Sequence, residues 1–384
     1  MDAETIYLDH AATTPVHARV LDAMLPYFTQ QFGNPSGRYP MAEQARAAVD
    51  WARQTVATTI GARSSEIVFT GGGSESNNLA LQGVAFAARD RGDHIVTTQI
   101  EHHAVLRTCA YLERVHGFRV TYLPVDRSGL VDLVALEHAL DDRTILVSVM
   151  LANNEVGTIQ PLAEIAALTR PRGIALHTDA VQALPTLPVD IRALGVDLLT
   201  ISAHKCYGPK GVGALYVRRG TPLLPQIYGG HQERDRRAGT ENVAGIVGLA
   251  TALQLVRSHD SRTLADLRDR LIRSVLEDVP GAILTGHPTL RLPGHASFCF
   301  GGVAGEAVLV ALADHGIACS SGSACAAGES EPSHVLTAMG IPDDLAHTAV
   351  RLTLGLTNTP EQIEWVAERL PAIVAAVRGV EHVI

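Results

Sequence analysis

The chain has 384 residues, of which 46% are hydrophobic and 18% charged, with a formal net charge of −9. This is the make-up of a folded protein with a large core, not of a disordered or fibrous chain, and its length suggests two or three domains. No apolar run reaches the ~18 residues of a membrane span, the acidic balance argues against a direct nucleic-acid surface, and a start carrying Asp2, Glu4 and Asp9 predicts no secretory leader.

In chain order, a helical pattern runs from about Met41 to Ile60 and stops at Gly61. Short apolar runs then alternate with helical stretches. Strands are expected at Glu66–Thr70, His94–Thr98, Arg119–Leu123, Thr144–Met150, Ile174–Thr178, Asp197–Ser202 and Gly213–Val217. Helices are expected at Ser74–Arg89, from about Ala104, at Leu130–Leu140 and at Pro161–Thr169. Repeated units of this kind predict an α/β fold, a mostly parallel sheet covered by helices. Long helical patterns follow at 242–259 and 264–279. The rhythm then changes to short strands at 295–300, 317–319 and 350–354 among helices near 306–315, 334–339 and 360–377. We expect a large domain over residues 15–257 and a smaller α+β domain made of residues 1–14 and 258–384.

The five cysteines, Cys109, Cys206, Cys299, Cys319 and Cys325, are odd in number, and none are spaced as CxxC. That favours a reduced, cytoplasmic protein over a disulfide scaffold, and no metal site is expected. Lysine is almost absent. Only Lys205 and Lys210 occur, and the other 29 of the 31 basic residues are arginine. Arginine replaces lysine as a surface charge but not as an amine nucleophile. Two lysines in one short segment therefore point to chemistry there.

That segment is Ser202-Ala203-His204-Lys205, after an apolar strand, where an open α/β sheet forms its ligand crevice. A lysine here could bind pyridoxal phosphate as an imine; Lys210 reads as a turn residue. Asp179, after the strand 174–178, could keep a pyridinium nitrogen protonated or simply cap a helix, and Gln182 could reach the ring hydroxyl. Gly71-Gly72-Gly73-Ser74 joins a strand to a helix and could cradle a phosphate; an ordinary glycine turn capped by Ser74 has the same pattern. In Glu101-His102-His103, an imidazole could stack on a cofactor ring and exchange protons. Finally, Ser320-Ser321-Gly322-Ser323-Ala324-Cys325 surrounds one cysteine with small residues, which suits a thiolate that must meet a substrate. Cys206, beside Lys205, is a second candidate thiol.

Together with the start Tyr7-Leu8-Asp9-His10-Ala11-Ala12-Thr13-Thr14-Pro15, these segments resemble the cysteine desulfurases, within the fold-type I pyridoxal-phosphate enzymes of the class V aminotransferase kind. The SSGSAC segment resembles the housekeeping and nitrogen-fixation branch. The resemblance covers nearly the whole chain and implies a role for each matched position. Lys205 would carry the cofactor, Asp179 would meet its pyridine nitrogen and Gln182 its ring hydroxyl, and His102 would stack on the ring and assist proton transfer. Gly73, Ser74, Ser202 and His204 would hold the phosphate, joined by Thr240 from the second chain of a homodimer. Asn34, Asn154 and Arg351 would hold the substrate carboxylate, directly or through the ring environment, and Cys325 would take the sulfur. Ser74 stands where relatives often have Thr, and Gly73 where Ala is common; both keep the required group.

The implied reaction converts L-cysteine to L-alanine and leaves sulfur on Cys325 as a persulfide, for passage to a sulfur-acceptor protein in iron–sulfur cluster assembly or tRNA thiolation. A selenocysteine lyase or a class V transaminase would keep Lys205 and Asp179, but a transaminase has no need of Cys325. A sulfur-relay or scaffold protein would need none of the cofactor residues.

Overall fold

The computed structural model describes residues 5–322 and 332–381. Twelve strands are found among them: β1 (Ile6–Tyr7), β2 (Ile67–Thr70), β3 (His94–Thr98), β4 (Arg119–Leu123), β5 (Thr144–Ser148), β6 (Ala175–Asp179), β7 (Leu198–Ser202), β8 (Gly213–Val217), β9 (Ala282–Leu284), β10 (His295–Phe300), β11 (Ile317–Ala318) and β12 (Ala349–Thr353). The main sheet has the order β2-β8-β7-β6-β5-β3-β4, and β8 alone runs antiparallel to its neighbours. Strands β2, β3, β5, β7 and β8 are buried along their whole length, as a sheet covered by helices on both faces requires.

Local chemistry sets the helix ends. Pro40 opens the helix Pro40–Ile60, and Gly61 closes it at φ 76°, an angle at which a side chain would be strained. The helix His103–His116 starts on His102, whose Nδ1 accepts from the Ala104 N–H. Asp132 caps Leu133–Ala139 through its carboxylate, so that helix begins three residues later than the apolar pattern suggests. Glu66 is not in the strand expected there. It lies in the 3₁₀ turn Ser64–Glu66, because its carboxylate accepts from the backbone of Arg63 and of Arg219.

A second sheet, β12-β10-β9, is antiparallel, and β1 pairs with β11. Its core draws Ile6 and Leu8 from the start of the chain together with Leu264, Leu271, Phe298, Phe300, Val350 and Ile363. A separate apolar cluster packs the main sheet, with Val56, Phe69, Val147, Leu176, Ile201 and Leu253 among its members. No helix of the described residues is long and apolar enough to cross a membrane.

Candidate active site

The carboxyl ends of the parallel strands deliver the side chains. His102 follows β3, Asn154 follows β5, Asp179 ends β6, and Ser202 ends β7 just ahead of Lys205. These residues line one cavity of about 430 Å³, together with Ala11, Ala12, Gly73, Ser74, Gln182, His204, Gly322 and Arg351. The size suits a small cofactor with its substrate.

Lys205 Nζ donates to the carbonyl oxygen of Ala12 at 2.6 Å and to that of Ala11. The Ala11 carbonyl also accepts from Gln182 Nε2 at 2.9 Å. The start of the chain is thus one wall of the site. Asp179 divides its two oxygens: Oδ1 accepts from the Val181 N–H at 2.9 Å, as a turn cap would, and Oδ2 accepts from Asn77 Nδ2 at 2.6 Å. Asn77 Oδ1 is buried and has no partner among the described residues.

His102 is held by one nitrogen. Because Nδ1 accepts from Ala104 N–H, the proton of the neutral ring lies on Nε2. Burial pushes its pKa down, against the opposing pull of Asp179. His204 is pushed down to about 4 by burial and by the nearby charges of Lys205 and Lys210; its Nδ1 meets Thr13 Oγ1 at 3.1 Å. Ser202 is buried and Ser74 exposed, and both line the cavity. The 15-residue helix Gly73–Ala87, which carries Ser74 in its first turn, presents its N-terminus here, with Gly72 at φ 139°. A Cβ on Gly73 would stand 3.1 Å from Val181 Cγ2 and 3.5 Å from Ser202 Cβ, so the glycine keeps this end open.

Arg351, on β12, is 2% exposed. Its Nη1 donates to the carbonyls of Asn154 at 2.9 Å and Gly322 at 2.8 Å, and its Nη2 donates to Asp9 Oδ1 at 2.7 Å.

Not every expected residue lies here. Asn34 is exposed and caps its own turn, its Oδ1 accepting from Ser36 N–H. Thr240 is exposed and also lies outside this cavity. Cys325 falls outside the described residues. Among the other cysteines, Cys109, Cys206 and Cys299 are buried, and burial pushes the Cys206 and Cys319 thiols up to about 12. Sequence reasoning missed Asn77, Glu155 and His334, which line the cavity. Asn77 carried a signal, a buried amide in an otherwise apolar helix face; His334 and Glu155 carried none.

The profile of the aminotransferase class-V family matches residues 6–366. The cysteine desulfurase IscS of Methanosarcina thermophila is 50% identical over 379 residues, covering 98% of this chain and 93% of that protein. The IscS of Dictyoglomus turgidum is 48% identical over 98% of this chain and 96% of its own. The chain belongs to the cysteine desulfurases. Among solved structures, a NifS-like protein superposes with a TM-score of 0.90 at 38% identity, over 97% of this chain and all of that one. A structure described as SspA in complex with cysteine gives 0.83 at 39% identity, over 91% and 99% of the two chains.

Cysteine desulfurases of this family depend on pyridoxal phosphate, and the residues here fit that group on their own chemistry. A carboxylate (Asp179), an amine (Lys205) and a helix N-terminus kept clear by Gly73 line one cavity. They offer a partner for a ring nitrogen, an aldehyde and a phosphate respectively.

Proposed function

We propose that this cysteine desulfurase takes L-cysteine at Arg351, releases L-alanine and keeps the sulfur on Cys325. The observation that carries this reading is the cavity itself. Lys205, Asp179, His102 and Arg351 line it together with Gly322, which precedes Cys325 by three residues. An extended chain spans at most ~3.6 Å per residue, so the Cα of Cys325 is tethered within about 11 Å of that of Gly322.

Pyridoxal phosphate supplies an electron sink for the bond changes at the substrate. Asp179 would hold the ring nitrogen, Gln182 the ring hydroxyl, and Gly73, Ser74, Ser202 and His204 the phosphate. The neutral state of His204 lets its ring accept or donate a hydrogen bond without adding charge. Asn154 and Arg351 would orient the substrate carboxylate, whereas Asn34 lies outside the cavity of its own chain. Lys205, once its amine is released, is the base for the Cα proton. His102 holds a proton on Nε2 and faces the same cavity. Cys325 attacks the substrate sulfur as a thiolate, so that the new S–S bond forms as the substrate Cβ–S bond breaks, leaving its electron pair on the carbon that is then protonated to give alanine; the buried thiols, with raised pKa values, are poor competitors.

We further propose a cytoplasmic homodimer, in which Thr240 completes the phosphate site of the other chain, and a protein sulfur acceptor in cluster assembly or tRNA thiolation. Exposed Leu21, Leu25, Phe28 and Phe32, close together in sequence, support a second copy as the cover for that stretch. The separate apolar clusters beneath the main sheet and the second sheet support a division into two domains, one over residues 15–257 and one from 1–14 with 258–384. The test is incubation with L-cysteine while alanine, sulfide and protein-bound persulfide are measured together. Stoichiometric alanine with the persulfide on the Cys325 peptide is expected. Alanine without any persulfide on Cys325 would overturn the assignment.

A further inference from the structure

The segment that precedes Thr240 is built against the ordinary preferences of the chain. Glu233, Arg234 and Asp235 all have positive φ, at 47°, 59° and 63°. Three consecutive residues with side chains in the left-handed region are unfavourable and persist only where the surroundings over-determine them. Here the surroundings are explicit. Arg53, from the helix Pro40–Ile60, grips Glu233 with both ends of its guanidinium, at 2.6 and 2.7 Å. The two side chains are 9% and 3% exposed. Glu233 Oε2 also accepts from the Phe69 N–H of β2 at 3.0 Å, and Arg234 donates to the carbonyls of Ser65 and Ile67. Gln232 Oε1 accepts from the Gly239 N–H at 3.0 Å and so closes the segment on itself. The result is a pinned turn that ends in an exposed threonine.

Neither Arg53, Glu233 nor Thr240 lines the cavity of its own chain. A buried bidentate pair is a costly way to hold a surface loop, unless the place of that loop matters to something else. We propose that Arg53 and Glu233 are positioning residues acting between subunits: by fixing the left-handed turn they present Thr240 to the phosphate site of a second copy of this chain. The inference rests on the shared-site reading above, and it adds which residues enforce the sharing.

The test uses isolated heterodimers carrying two different tags. The variant Arg53→Met with Glu233→Gln removes the charge pair together and keeps an acceptor for Phe69 N–H. As a homodimer it should bind pyridoxal phosphate roughly 10- to 100-fold more weakly, the loss of one hydrogen bond to a charged group. Paired with a Lys205→Ala chain, its own Lys205 site receives Thr240 from a chain with an intact turn. Cofactor trapped on that Lys205 by borohydride and counted by mass should then return to wild-type occupancy. Occupancy as low as in the variant homodimer would place the effect within one chain and overturn the proposal. A parallel pairing of Lys205→Ala with Thr240→Ala separates the two readings. If it recovers while the first does not, only the positioning role fails. If neither recovers, shared sites fail too. Where the double variant does not dimerise, Glu233→Gln alone is read in the same pairings, with the same outcomes deciding.

Discussion

His177 lies on β6 two residues before Asp179, fully buried, with Nδ1 2.8 Å from Ser148 Oγ and Nε2 3.1 Å from Thr200 Oγ1. Burial pushes its pKa down to about 3 from an ordinary 6.5. The unfolded chain therefore binds a proton between pH 6.5 and about 3 that the folded chain does not, and stability falls as the pH drops through that window. One pKa unit corresponds to about 1.4 kcal/mol. At pH 4.5, two units below the unfolded midpoint and still above the folded one, this single ring costs about 3 kcal/mol. His177→Gln keeps a donor and an acceptor between the same two hydroxyls but carries no titrating group. Urea unfolding at a series of pH values from 8 to 4.5 should show the variant losing about 3 kcal/mol less than the wild type on acidification. Equal losses in the two proteins would refute the argument, and would mean that the ring is charged or solvated in the folded state.

Glu101 predicts the opposite sign. It is fully buried, and burial chiefly pushes its carboxyl up to about 8 despite bonds from Met150 N–H and Thr98 Oγ1. Its stabilising contribution is complete below pH ~4.5 and is lost as the pH rises through 8, so Glu101→Gln should gain on the order of 4 kcal/mol relative to wild type near pH 7.5, read by the same unfolding series; no gain at that pH would contradict it. Lys205→Ala should lose ~10³-fold or more of alanine formation and all borohydride-trapped cofactor, while Lys210→Arg keeps both. Trapped cofactor on Lys210 would reverse that assignment. Cys325→Ser should retain cofactor and bind L-cysteine yet form no persulfide, as peptide mass mapping would report. A persulfide appearing on Cys206 or Cys319 instead would count against Cys325.

Patterns with a period were legible in the sequence, and so was chemistry with no substitute. The buried strands could be read from continuous apolar runs, and Arg119–Leu123 and Gly213–Val217 fall where the pattern puts them. Lys205 stood out because arginine cannot replace its amine as a nucleophile, and it does line the cavity. Strands as short as β1 and β9 carry little pattern to be read, and the partner of β1 lies near the other end of the chain. Glu66 was misread because a carboxylate that bonds nearby backbone looks like any residue in an apolar run. Asn77 meets Asp179 across 102 positions of sequence. That pairing is created by the sheet order, which no local spacing encodes.

Arg351 shows how much of a site's logic lies in such long-range bonds. A guanidinium has five N–H donors. Two of them close on the carbonyls of Asn154 and Gly322, and a third on Asp9, while Nε has no partner among the described residues. The side chain therefore joins the start of the chain, the turn after β5 and the root of the segment that carries Cys325. A substrate carboxylate bound at Arg351, as proposed above, would compete with Asp9 for the same charge and bear on the same group that holds Gly322. Under the proposed function, binding of the amino acid and the anchoring of the segment that leads to Cys325 would thus be tied to one residue. A lysine in its place would keep the charge but lose the planar set of donors that makes the connection.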